Sequence, residues 1–247
     1  MSIKRAGGSR TTGPARLVND TPLHAYLLAQ LTDTPIVQWP MQETSGTSAT
    51  DLSGNSRTGT IAGTPTMDQS FATGTLKGMS FNNDINKQIS VASASWMNTA
   101  TAAFTAEIIA QPSSFSTYSH MCGRSDLSAA NQFYLRYHAT SGVIDAQFVG
   151  VSTSTTLSTV ATYSTGVTYH VASVYNGATL KIYVNGSEAA STALVAGNKQ
   201  SITSPLQVGR VNYGSYPFQG LLAGFAQYDT ALSSARILAH AQAAGLA

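Results

Sequence analysis

Tyr169-His170-Val171-Ala172-Ser173-Val174-Tyr175-Asn176-Gly177-Ala178-Thr179-Leu180-Lys181-Ile182-Tyr183-Val184-Asn185-Gly186 is the stretch whose reading decides the fold. In its first run Tyr169, Val171, Ser173 and Tyr175 alternate with His170, Ala172 and Val174. In its second, Leu180, Ile182 and Val184 share one side while Lys181 and Tyr183 share the other. A period of two in β-branched and aromatic residues is the signature of a strand, because successive side chains leave a strand on opposite faces. Gly177-Ala178 between the runs is a two-residue hairpin connection, and Asn185-Gly186 marks a second tight turn.

Working outward, short runs of the same kind recur from Ile36 onward, separated by Gly, Asn, Ser and Asp turns. Strands are expected over 36–42, 58–62, 79–81, 88–91, 104–111, 118–124, 132–138, 143–149, 169–176, 179–184, 206–209 and 218–228. That spacing predicts an all-β, two-sheet antiparallel sandwich, with one set of side chains from each strand in the core between the sheets. The ends differ. Thr21-Pro22 reads as a helix start, with Leu23, Tyr26, Leu27 and Leu31 on the apolar face and Thr32-Asp33-Thr34-Pro35 as the stop. So short a helix must pack on the body or on a partner chain. A second short helix is expected over 234–244, behind a hydroxyl or carboxylate cap, with Ile237, Leu238 and Ala241 toward the sheet. The chain thus divides into an arm and helix over 1–34 and a β domain over 35–247.

Charged residues make up only 10% of the 247, against about 25% in ordinary soluble domains, and hydrophobic residues 43%. The surface is therefore built from hydroxyls and amides, as in proteins that face sugars or assembled neighbours. The net charge of +2 hides a basic arm: Lys4, Arg5, Arg10 and Arg16 fall in the first sixteen residues with no acid among them. Such an arm either tethers the chain to an acidic surface, another protein or nucleic acid, or is a free tail with no role. Together with Tyr26 and Leu27 it forms the expected attachment set. The near-neutral body is not expected to bind nucleic acid specifically. Cys122 is the single cysteine, so no internal disulfide exists. No run of 18 apolar residues suggests a membrane span, and no secretory signal is expected ahead of this body.

Four segments resemble the laminin G-like branch of the concanavalin A-like jelly-roll fold. They are Pro35-Ile36-Val37-Gln38-Trp39-Pro40-Met41-Gln42-Glu43-Thr44-Ser45-Gly46-Thr47, continuing through Ala49-Thr50-Asp51-Leu52-Ser53-Gly54-Asn55 to Gly59-Thr60; Phe104-Thr105-Ala106-Glu107-Ile108-Ile109-Ala110-Gln111-Pro112, with Ile109 where a tryptophan is frequent; the hairpin quoted above; and Gly209-Arg210 through Phe218-Gln219-Gly220-Leu221-Leu222-Ala223-Gly224-Phe225-Ala226 to Leu232-Ser233, a closing strand and helix. They span residues about 35–244 in the family's order. Ala25-Tyr26-Leu27-Leu28-Ala29, Asp33-Thr34-Pro35-Ile36-Val37-Gln38-Trp39 and Glu43-Thr44-Ser45-Gly46-Thr47 resemble bacteriophage particle proteins in which a jelly roll decorates a capsid, tail or fibre. The resemblance implies a virion protein assembled in the host cytoplasm, with capsid or tail proteins and sister copies as partners and host-surface glycan as ligand. The alternatives are an extracellular carbohydrate-binding module, or a glycosidase or lyase on the same fold.

Glycosidases on this fold need two carboxylates at strand spacing. Glu107 stands alone in its strand, with Ile109 and Gln111 at the matching positions, so no catalysis is expected. His24, His120, His138, His170 and His240 are scattered, none at metal-ligand spacing from another. His120 lies two residues before Cys122 and would share its strand face. Calcium is the cofactor the resemblance implies; Asp51, Ser53 and Asn55 in one loop and Asp126 with Asn131 in another offer oxygens for it. Asp51 and Asn55 equally serve as plain turn builders. For sugar, exposed aromatics are the natural platform: Tyr118, Tyr163, Tyr213, Tyr216 and Trp96. The segment Arg210 to Pro217, with Asn212, Tyr213 and Tyr216, is the leading site together with Tyr118. Two readings stand for it: a sugar contact, or Tyr216 packed on the sandwich edge with Arg210 capping a strand.

Overall fold

The structure, a computed structural model, describes residues 22–125, 131–212 and 216–247. In chain order its elements are helix α1 (Pro22–Leu31) and strands β1 (Val37–Trp39), β2 (Ser48–Ala49), β3 (Gly59–Ala62), β4 (Thr66–Ser70), β5 (Lys77–Ser80) and β6 (Gln88–Val91). A 3-10 turn (Ser95–Asn98) precedes β7 (Phe104–Pro112), β8 (Ser119–Ser125), β9 (Asn131–Tyr137), β10 (Ile144–Val149) and β11 (Ser154–Ser158). Then follow β12 (Tyr169–Tyr175), β13 (Thr179–Val184), β14 (Ser187–Ala193), β15 (Leu206–Val208), β16 (Gly220–Tyr228) and helix α2 (Ser234–Ala243).

The hairpin forms as the alternation requires. β12 and β13 pair antiparallel, with Val171 opposite Val184 and Tyr175 opposite Leu180. The Asn176 carboxamide oxygen accepts from the backbone N–H groups of Ala178 (3.0 Å) and Thr179 (2.8 Å), which pins the turn. Asn185 (φ 49°) and Gly186 (φ 79°) both take positive φ, as a type I′ connection to β14 demands.

The strands form two antiparallel sheets of eight. In the back sheet the order is β14-β13-β12-β7-β16-β5-β4, with β1 sharing the β16 edge; in the front sheet it is β11-β10-β9-β8-β15-β6-β3-β2. The sandwich core lies between them: Trp39, Phe81, Phe104, Phe133, Phe148, Tyr175, Leu180, Ile182 and Phe225 are all at most 1% exposed. Each inward set is the apolar half of an alternating strand, so burial and register follow from one pattern.

The back sheet is buried on its outer side as well. Leu23, Tyr26 and Leu27 of α1 pack on Ile109 and Ala223, with Phe71 and Leu76 closing the flank. Ile237 of α2 packs with Ala172, Val174, Tyr183, Ala226 and Tyr228. Each helix departs from the expected face at a single site. Gln30 is buried where Leu31 was expected, and His240 where Leu238 was, leaving Leu238 38% exposed. The reason is polar: both side chains reach one buried carboxylate, Glu107. Tyr26 and Leu27, expected to attach the chain to a partner, are instead spent on the chain's own back sheet, because a ten-residue helix needs that burial to exist. The basic residues expected in attachment, Lys4, Arg5, Arg10 and Arg16, lie outside the described residues.

Candidate functional site

With two helices over the back sheet, the outer face of the front sheet is the broad strand surface left bare among the described residues. Alternation along β9 decides what it shows. Phe133, Leu135 and Tyr137 point into the core, so Tyr134, Arg136 and, just past the strand, His138 point outward. Arg136 pairs in register with His120 on β8 and with Asp145 on β10.

These residues form a stacked cluster. The Arg136 guanidinium sits over two aromatic rings, 4.0 Å from the ring centre of Tyr118 and 4.6 Å from that of Tyr134. Its Nε donates to Asp145 Oδ2 at 3.1 Å, and Ser158 Oγ donates to Asp145 Oδ1 at 2.7 Å. The Tyr118 ring meets His138 edge-on at 4.7 Å and Tyr216 edge-on at 5.3 Å. The Tyr118 hydroxyl is 3.1 Å from His138 Nε2, and His138 Nδ1 donates to the Ala139 carbonyl at 3.0 Å, because a carbonyl only accepts. His120 is buried against Tyr216 with Nδ1 at 3.2 Å from the Tyr216 carbonyl, and its Nε2 has no partner among the described residues. Burial first, and then the charge of Arg136, hold His120 down at about 3, against a bond to the Tyr216 backbone, so it is neutral at physiological pH.

Of the residues expected to meet sugar, Tyr118 and Tyr216 are thus brought together, half-buried, with their rings in contact. Arg210 and Asn212 sit farther along the same sheet. Arg210 Nη2 donates to Asn212 Oδ1 (3.3 Å), which also accepts from the buried Gln207 side chain (3.0 Å). Tyr213 lies outside the described residues. Trp96 is half-buried under the Arg57 guanidinium, 4.0 Å above its ring, and Tyr163 packs edge-on against Tyr169. Arg136, Tyr134, His138 and Asp145 were not singled out from the sequence. The signal was present in the outward set of 132–138, which reads Gln, Tyr, Arg, His opposite Phe, Leu, Tyr.

The Asp51–Asn55 loop, the one of the two expected calcium loops that falls among the described residues, does not fit a cation. Asp51 Oδ1 accepts from the N–H groups of Gln38 (2.9 Å) and Ser53 (3.0 Å), and Oδ2 from the Ser53 hydroxyl (2.8 Å) and the Arg57 N–H (2.8 Å). Its lone pairs are taken up in building the turn. The Asn55 amide donates to the carbonyl of Ile36 (3.2 Å) and to Ser53 Oγ (3.1 Å), which turns its N–H side rather than its oxygen to the loop. Asp126 lies outside the described residues. The His120–Cys122 pairing is overturned by a register shift between them: His120 faces outward, whereas Cys122 is in the sandwich core, where burial pushes its thiol far up.

A second polar cluster was also missed. Glu107 is fully buried under both helices. It accepts from His170 Nε2 (2.9 Å), His240 Nδ1 (3.0 Å), the Tyr228 hydroxyl (2.7 Å) and Gln30 Nε2 (3.1 Å). Burial alone would raise its carboxyl; the bonds from His170 and His240 and their charge outweigh that and hold it well below the usual carboxylate range. No solvent reaches it, so it serves packing rather than a ligand. Among the described residues no three His, Cys, Asp or Glu side chains are arranged to hold a metal ion; here both imidazoles direct an N–H at the carboxylate.

A laminin G family model, described as the concanavalin A-like lectin/glucanases superfamily, matches residues 82–238, more than half of the chain. The chain belongs to that superfamily. Among curated proteins no sequence matches it. Among solved structures, the concanavalin A-like domain resembles the binding domain of Paraclostridial Mosquitocidal Protein 1 at a TM-score of 0.66 and 16% identity, over 85% of this chain and 52% of that one. It resembles the botulinum neurotoxin serotype D binding domain at 0.66 and 13%, over 87% and 52%. It also resembles domain 4 of AbnA, an extracellular arabinanase from Geobacillus stearothermophilus solved in complex with arabinotriose, at 0.59 and 16%, over 85% of this chain and 98% of that one. The chain spans about half the length of the toxin binding domains it matches. At these identities the likeness is one of fold.

Proposed function

We propose that this concanavalin A-like domain is a non-catalytic recognition module that binds glycan on the outer face of its front sheet, and that a bacteriophage particle carries it to a host surface. One observation carries the glycan reading: the Arg136 guanidinium lies over the rings of Tyr118 and Tyr134 on the front sheet, with Tyr216 edge-on to Tyr118. Tyr134 is buried, and the half-exposed rings of Tyr118 and Tyr216 offer an apolar platform to the C–H face of a sugar, while the neighbouring amide, hydroxyl and guanidinium groups offer hydrogen bonds to its hydroxyls. The non-catalytic reading is supported by Glu107, which is sealed from solvent. Similar folds that serve as toxin binding domains point the same way.

The particle reading rests on the segments of residues 25–47 that resemble virion jelly rolls, and on the basic arm ahead of them. The match that spans nearly all of AbnA domain 4 favours a second reading, a carbohydrate-binding module of a secreted protein. The two separate on where the protein is found: in purified particles, or free in the medium. For the site itself, binding to an array of surface glycans is measured for the unaltered protein, Tyr118→Ala and Tyr216→Ala. The expected outcome is binding that weakens about tenfold or more in each variant, a loss of about 1.4 kcal/mol. Variants that fold and bind undiminished would remove the front face from consideration.

A further inference from the structure

The Arg136 side chain is held unusually firmly for a residue on a bare sheet face. Its guanidinium lies over two aromatic rings, at 4.0 and 4.6 Å, and its Nε is tied to Asp145. Its side chain is 11% exposed, and its two terminal amino groups donate to no side chain or backbone group among the described residues. What remains is a recessed fork of N–H donors with a fixed plane, and little rotamer entropy left to lose on binding.

A guanidinium fork matches two ligand chemistries, a carboxylate or phosphate on one hand and a pair of adjacent hydroxyls on the other. The surroundings choose between them. Asp145 is 1% exposed and 3.1 Å from Arg136 Nε, so the cation is already neutralised inside the protein. The adjacent His120 is buried and neutral, adding no positive charge. An anionic ligand would shed its hydration to approach a pair of zero net charge, with the Asp145 carboxylate behind the guanidinium repelling it. A neutral diol meets no such repulsion. Its oxygens accept from the two amino groups, and its ring is placed to lie on Tyr118 and Tyr216.

From this juxtaposition we infer that Arg136 binds a vicinal diol of an uncharged saccharide, and that Asp145 is the residue that sets the preference for neutral over acidic glycans. This rests on the reading of the front face as a glycan site.

The test compares neutral glycans with sialylated, uronate-containing and sulfated ones, by array and then by titration calorimetry at low and high salt. The full chain is expected to bind neutral glycans with a Kd that salt leaves nearly unchanged, because no net charge is being matched. Asp145→Asn keeps the shape of the side chain and uncovers the Arg136 charge; the ratio of acidic to neutral affinity is expected to rise about tenfold or more. Arg136→Lys keeps the charge and loses the fork, and neutral binding is expected to fall about tenfold or more. Near-UV circular dichroism reports whether each variant keeps the native packing. Salt-sensitive binding of acidic glycans by the unaltered protein would overturn the specificity inference while leaving a glycan site in place, and needs no variant to fold. Unchanged neutral binding in a folded Arg136→Lys variant would overturn it too. Silence toward every glycan would remove the glycan reading and this inference with it.

Discussion

Glu107 draws its partners from four other elements: Gln30 on α1, His170 on β12, Tyr228 on β16 and His240 on α2. His240 decides the charge of the group. Its Nδ1 faces Glu107, and its Nε2 faces the Ala29 carbonyl at 3.1 Å and the Asp33 carboxylate at 2.8 Å. Every one of these is an acceptor, so both ring nitrogens must carry hydrogen and the imidazole is cationic. Burial opposes that charge; the bond to Glu107, its charge and that of Asp33 prevail, and the His240 pKa lies above its ordinary 6.5. A proton held more tightly in the fold stabilises fully below pH about 6.5 and is lost as pH rises through the folded value. Glu107 acts oppositely: its contribution is complete above about pH 4.5 and fades only as acid protonates it in the fold. In urea unfolding, His240→Gln is therefore expected to be less stable than the unaltered protein by about 3 kcal/mol below pH 6.5, with the gap narrowing as pH rises above that. His120, neutral in the fold, adds an acid-side loss common to both proteins, which cancels in the difference. A gap that stays constant into the alkaline range would refute the imidazolium. None of this was legible in the sequence, where His170 and His240 stand 63 and 133 residues from Glu107; only the sheet register and helix docking bring them together.

At the scale of elements, the same cluster explains where helix periodicity misleads. An apolar stripe predicts Leu31 and Leu238 as inward positions, but a buried carboxylate beneath the helices needs donors, and Gln30 and His240 lie one and two positions away on the turn. The seat of α1 depends on Gly224 in β16. Its φ is +60°, its N–H donates to the Pro40 carbonyl at 3.1 Å, and its own carbonyl accepts from Gln30 at 3.1 Å. A Cβ there would lie 2.6 Å from Tyr26 Cε1. Gly224→Ala therefore combines backbone strain with a displaced aromatic ring, and is expected to destabilise by roughly 2–4 kcal/mol. Gly46→Ala provides the comparison: its φ is +94°, but nothing lies within 4 Å of the added methyl, so only the conformational cost of roughly 1 kcal/mol applies. Both are read by thermal unfolding. Equal losses in the two variants would mean that the contact with Tyr26 contributes nothing.

Across the whole molecule, what the sequence made readable and what it hid divide along the sheets. Interior strands such as β7, β12, β13 and β16 carry alternation or continuous apolar runs because neighbours flank them on both sides. The four strands that no pattern announced, β2, β4, β11 and β14, are the four ends of the two sheets. β11 reads Ser-Thr-Thr-Leu-Ser and β14 Ser-Glu-Ala-Ala-Ser-Thr-Ala, sequences with little to bury because an edge has water on one side. For the site, Tyr118 and Tyr216 were readable as aromatics, whereas Arg136 and Asp145 become partners only through the β9–β10 register. The helix layer has a further consequence. A ten-residue helix has no stability of its own, and lifting α1 or α2 away would leave Glu107, His170 and a broad apolar sheet face uncovered. The layer and the sandwich should accordingly melt as one unit. Trp39, buried in the core with Nε1 donating to the Arg57 carbonyl, reports the sandwich by fluorescence, and ellipticity at helical wavelengths reports α1 and α2. In urea the two curves are expected to share one midpoint, as two-state unfolding requires. A helical signal lost at lower urea than the Trp39 signal would show the helices to be an appendage and would move Glu107 from the foundation of the fold to a detachable cover.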